Sequence, residues 1–136
     1  MTDAEALYRY RIGEAEETIS EAERLLAEQF SPRIIINRAY YCMFYAVLAL
    51  FLKAGVRSRT SKHKGVISQF DKEFIKTGKM DKKLSAVIHK IFDKRLVTDY
   101  RDFAVSSAED ASEAVADSRL FLDSVKKYCD SLPAYD

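Results

Sequence analysis

An arginine, Arg38, follows Asn37 inside the most apolar helical stretch of this sequence. A guanidinium there has two readings. It lies near a helix start and reaches solvent or an acidic neighbour along its aliphatic stem, or it lines a cleft where it pairs with a phosphate or with Asp99. A second group, Asp93, Lys94, Arg95, Asp99, Tyr100 and Arg101, combines both signs of charge with a phenol. On a helix Arg95 and Asp99 share a face and can form an ion pair, with Tyr100 slightly round from them. A solvated, charge-laced helix end has the same pattern. His89 with Asp93 reads as a surface pair at the same spacing. A third cluster, Lys53, Arg57, Arg59, Lys62, His63 and Lys64, offers cations to a nucleic-acid backbone, and a helix starting near His63 adds partly positive amides. Such contact would be insensitive to base sequence, and plain solvation of a polar loop explains the same residues.

These groups need helices to position them. Asp3 to about Phe30 has the composition of a long amphipathic helix, weakened locally by Gly13. Ser31 can cap a second helix with Pro32 in its first turn, running to about Ala54 and closed by Gly55. This helix is apolar almost all round, so it belongs at the centre of a bundle. A polar connection, 56–62, leads to a short helix from His63 to Lys76, which Thr77-Gly78 ends. Asp81 can cap a fourth helix whose apolar positions Leu84, Val87, Ile88, Ile91, Phe92 and Leu96 form one face, ending near Tyr100. Ser106 or Ser107 opens the last helix, which stops before Pro133. The expectation is one all-α domain over residues 1–136, an up-and-down antiparallel bundle of four long helices plus one short helix.

Composition agrees. With 136 residues, 48% hydrophobic and 32% charged, the chain can build a core and is too charged for a membrane protein or too apolar for disorder. Four glycines and two prolines are few for an all-β fold. The formal charge of +1 conceals a division: residues 1–30 carry net −5, residues 31–105 net +10 and residues 106–136 net −4. A basic centre between acidic ends marks either a polyanion-binding surface or complementary helices packed together. Cys42 and Cys129 have neither CxxC spacing nor histidine partners, so they read as core residues of a reducing compartment, and no metal site is expected. The N-terminus does not read as a signal peptide, and the longest uncharged stretch, between Arg38 and Lys53, is 14 residues, short for a membrane span. A cytoplasmic location is expected.

Four segments together resemble the successive blocks of the HEPN domain, whose name stands for higher eukaryotes and prokaryotes nucleotide-binding. They are Arg38 to Ala46 (RAYYCMFYA), Lys62 to Gly65 (KHKG), Phe74 to Gly78 (FIKTG) and Arg95 to Tyr100 (RLVTDY). The resemblance covers nearly the whole chain, in order. It implies a helical bundle, commonly a homodimer, often encoded beside a small nucleotidyltransferase with which it forms a toxin–antitoxin or related module. Many members resemble metal-independent ribonucleases that use an arginine and, a few residues on, a histidine. There the arginine stabilises charge on the phosphate and the histidine moves protons.

This sequence has Tyr100 where the histidine stands, and a phenol with a pKa of about 10 is a poor base at neutral pH. Arg57 and His63 satisfy the nuclease spacing but lie in the basic loop, where we read the match as coincidence. The resemblance therefore implies a nucleotide- or RNA-phosphate-binding protein, non-catalytic and without cofactor, that partners a nucleotidyltransferase. Arg38, Tyr41, Lys62, His63, Arg95, Asp99 and Tyr100 are the candidate phosphate-binding residues. A ribonuclease toxin using Arg95, with Tyr100 as its second catalytic candidate, is one alternative. A purely structural interaction domain is another.

Overall fold

The first helix, α1 (Asp3–Ala27), begins where the Thr2 hydroxyl accepts the Glu5 amide, with Asp3 and Glu5 in its positive first turn. It stops short of Phe30 because Gln29 turns into the left-handed region at φ 59°. Ser31 stands at the cap position of α2 (Pro32–Ala54), but its hydroxyl caps nothing, contrary to expectation. Its carbonyl instead accepts the Ile34 and Ile35 amides, and Pro32 needs no partner for a missing N–H. Gly55, at φ 72°, ends α2 as the sequence predicts.

The computed structural model, which describes residues 2–100 and 105–133, is an all-α, up-and-down bundle with α2 at its centre. By length and composition α2 could cross a membrane, yet most of its apolar surface is covered by α1, α4 and α5. Ile35, Ile36, Ala39, Tyr40, Met43, Val47 and Leu50 are buried, and the Ser118 hydroxyl of α5 donates to the Ala39 carbonyl inside the core. Cys42 and Cys129 are buried core residues, as expected. Burial pushes their thiols up to about 12 and about 11, which keeps them protonated and inert.

The short helix α3 (His63–Phe70) continues into a π-turn, Asp71–Ile75, where a plain helix to Lys76 is expected. Met80 and Phe74 join the core there, and Gly78 at φ 76° closes the turn. The Asp81 carboxylate accepts the Lys83 amide at the start of α4 (Lys83–Tyr100). Ser107 and Asp110 form a reciprocal capping box at the start of α5 (Ala108–Asp130).

Candidate functional site

Three elements converge on Arg95. It lies in the last turns of α4, where an apolar face (Leu84, Ile88, Ile91) turns the guanidinium inward against α2. Arg95 is buried, 9% exposed, and its head group is met by side chains of α4, α2 and the start of α3. Nε donates to Asp99 Oδ2 at 3.2 Å, one turn along the same helix. Nη2 donates to the Tyr41 hydroxyl at 3.4 Å, and Nη1 faces His63 Nδ1 at 3.5 Å. The guanidinium carbon lies 5.1 Å from the Tyr40 ring centre, 5.3 Å from Tyr41 and 5.9 Å from Tyr100.

The sequence thus brings Arg95, Asp99, Tyr41, His63 and Tyr100 together. His63 is the informative arrival. Its ring rests on Phe44, with centres 4.1 Å apart, and is 5.6 Å from both Tyr40 and Tyr41. A guanidinium can only donate, so Nδ1 is the acceptor of that contact and the ring proton belongs on Nε2. Burial, and then the positive charge of Arg95, hold the imidazole below its ordinary pKa, so it is neutral at pH 7. The site therefore holds an arginine and an imidazole after all, although Tyr100 occupies the motif position. Arg57 takes no part: its carbonyl accepts the Gln69 side-chain amide, which pins the loop before α3.

Arg38 does not pair with Asp99. That carboxylate is engaged by Arg95, and Arg38 reaches it only through Asn37, whose Oδ1 accepts from Arg38 at 3.0 and 3.3 Å while its Nδ2 donates to Asp99 at 3.4 Å. Arg38 also extends to Glu21, 3.8 Å away, and over the Tyr41 ring at 5.4 Å, so both arginines meet on one tyrosine. Lys62 caps α3 with its backbone, and no hydrogen bond or ion pair ties its ammonium to the cluster. Tyr100 is 71% exposed at the rim. Arg101 lies outside the described residues. His89 is bonded to Asp71 at 2.6 Å rather than to Asp93, because α3 and its π-turn present a carboxylate across the helix pair.

Asn37, Tyr40 and Phe44 are the members that do not stand among the candidate phosphate-binding residues. Their signal is spacing: Asn37, Tyr40, Tyr41 and Phe44 stand at i, i+3, i+4 and i+7, one face of α2. Among the described residues no group of His, Cys, Asp and Glu could hold a metal ion.

Comparison with known proteins agrees with the segments that carry the resemblance. A protein of Thermotoga maritima named "UPF0332 protein" is 33% identical over 97% of this chain and 98% of its own length. Two proteins of Methanocaldococcus jannaschii, named "Putative toxin MJ0142" and "Putative toxin MJ0605", are 34% and 31% identical over 86% and 83% of this chain and 78% and 81% of theirs. Residues 8–128, from α1 to the end of α5, match the HEPN domain. On that match and those relatives, the chain belongs to the HEPN domain family.

Proposed function

We propose that this protein binds a phosphate of a nucleotide or of RNA at the Arg95 cluster without cleaving it, as the partner of a small nucleotidyltransferase in a toxin–antitoxin-like module. The observation that carries the reading is how Arg95 is held. Asp99 takes only Nε, while the end-on edge, Nη1 and Nη2, faces two neutral groups at 3.5 and 3.4 Å. Two phosphate oxygens offer that edge a pair of charge-assisted bonds of about 2.8 Å. The Tyr41 hydroxyl, whose proton is free, adds a neutral donor to the same anion, and Arg38 adds a second charge nearby. The family and relatives whose names carry the word toxin support a toxin-like or nucleotide-binding role.

Calorimetric titration with inorganic phosphate and with a short single-stranded RNA tests the site. Arg95→Lys keeps the charge but loses the planar fork, and is expected to weaken both ligands about tenfold. Equal affinity in the variant rejects the assignment. Co-purification with any small nucleotidyltransferase encoded beside the gene tests the partnership, and absence of such a neighbour ends it.

The Arg95–His63 contact favours a second reading, a ribonuclease. The same contact works against it, because Nδ1 already accepts from Arg95 and Nε2 carries the proton, leaving no lone pair for a 2′-hydroxyl. Cleavage of single-stranded RNA in a chelating buffer, lost in both Arg95→Ala and His63→Gln, would replace the non-catalytic reading.

A further inference from the structure

A crevice of about 250 Å³ opens between α3 and α4, lined by Lys64, Ile67, His89, Phe92, Asp93 and Leu96. It adjoins the Arg95 cluster. Lys64 follows His63, Leu96 follows Arg95, and the Phe92 ring is 5.7 Å from that of Tyr40, on which Arg95 rests. Its volume is below the roughly 300–1,000 Å³ of sites for drug-sized ligands, so its occupant is a single small ring system. Ile67, Phe92 and Leu96 supply apolar surface. Lys64 and Asp93 stand exposed at the rim, and among the described residues neither has a hydrogen-bond or ion-pair partner. The third polar group, His89, is fixed by its 2.6 Å bond to Asp71 in the π-turn.

We propose that this crevice receives the base of the nucleotide whose phosphate sits at Arg95, an assignment that rests on the phosphate-binding reading above. A nucleobase is flat and apolar on its faces, and its edge carries both donors and acceptors. Asp93 accepts from an exocyclic amine or ring N–H, Lys64 donates to a ring nitrogen or carbonyl, and Phe92 and Leu96 cover the face. A bare phosphate or a sugar phosphate uses none of these contacts. The protein therefore distinguishes a nucleotide from other phosphate esters, which the Arg95 cluster alone cannot do.

The test is titration with inorganic phosphate, ribose 5-phosphate and each of the four nucleoside 5′-monophosphates. At least one mononucleotide is expected to bind about tenfold more tightly than ribose 5-phosphate, a difference of about 1.4 kcal/mol. Leu96→Trp fills the crevice and Asp93→Lys reverses the rim charge. Each should abolish that tenfold difference and leave ribose 5-phosphate binding unchanged. Asp93 is exposed, so its variant keeps the test valid if Leu96→Trp does not fold. Mononucleotides that bind no better than ribose 5-phosphate, with Arg95-dependent binding of both, overturn the crevice and leave the phosphate site standing. No binding of any phosphate ester overturns both.

Discussion

At Arg95 and His63, two groups that both carry a positive charge when protonated lie 3.5 Å apart, and the arrangement is stable because one of them stays neutral. Burial and Arg95 both disfavour the imidazolium, so the folded-state pKa of His63 lies below the value of about 6.5 it has in the unfolded chain. The sign of the stability effect follows. As pH falls through 6.5 the unfolded chain takes up this proton first, so acidification favours unfolding and the contribution of His63 to stability is lost below that point. His63→Gln keeps a polar side chain and removes the titration. Its melting temperature is expected to fall less than that of the wild type between pH 7 and pH 5.5, and parallel curves would show that His63 is not held neutral. The pair was not legible beforehand because its members are 32 residues apart in sequence, in a loop cluster and a helix end that each had a sufficient solvated explanation. Arg95 with Asp99 was legible, because helical spacing alone brings them together.

His63 reaches Arg95 only if the start of α3 lies close against the loop that precedes it. Gly65 makes that approach possible: a Cβ built on it would lie 2.3 Å from the Thr60 methyl group, too close for any real contact. The loop is held from the other side by Gln69, whose side-chain oxygen accepts the Arg59 amide and whose nitrogen donates to the Arg57 carbonyl. Gly65→Ala must therefore turn the Thr60 side chain, breaking its hydroxyl's bond to the Lys62 amide, or else push the loop or tilt the first turn of α3, at an overpacking cost of about 1–3 kcal/mol. We expect a lowered melting temperature together with weakened phosphate binding, whereas Gly13→Ala, with open space around its Cβ, should leave binding unchanged. An unaltered Gly65→Ala protein would mean that the loop is free to move. Most element boundaries were legible because caps and stops are written locally: Pro32, Gly55, Gly78, Asp81 and Ser107 each act within a few residues. The π-turn was not, since Asp71–Ile75 has the apolar spacing of an ordinary helix and its extra residue follows from where Phe74 packs, against Phe51 and Phe70.

Over the whole molecule, the net charge of +1 is a balance between surfaces that folding treats differently. The acidic helix α5 lies against α4 and occupies two of its cations: Lys94 pairs with Asp110, and Lys90 with Glu113 and Asp117. The two acidic helices are joined by the basic residues of α5, Arg119 to Glu23 and Lys126 to Glu16. Complementary packing therefore accounts for part of the charge pattern. It leaves the stretch from Arg57 to Lys83 uncompensated, since among the described residues Arg57, Arg59, Lys62, Lys64, Lys72 and Lys76 form no ion pair. That stretch begins at the loop feeding α3, on which His63 stands, so RNA bound at the proposed Arg95 site is expected to contact it. Each phosphate it neutralises releases counterions, which should give a slope of about −0.7 in log affinity against log salt per contact on single-stranded RNA. Neutralising Arg59→Gln and Lys62→Gln together should flatten that slope by one to two contacts. Lys90→Gln is the internal control, because its charge is already engaged by Glu113 and Asp117, and its slope should match the wild type. Equal flattening by both sets of substitutions would mean that RNA responds to total charge alone and that the division between packed and free cations has no bearing on binding.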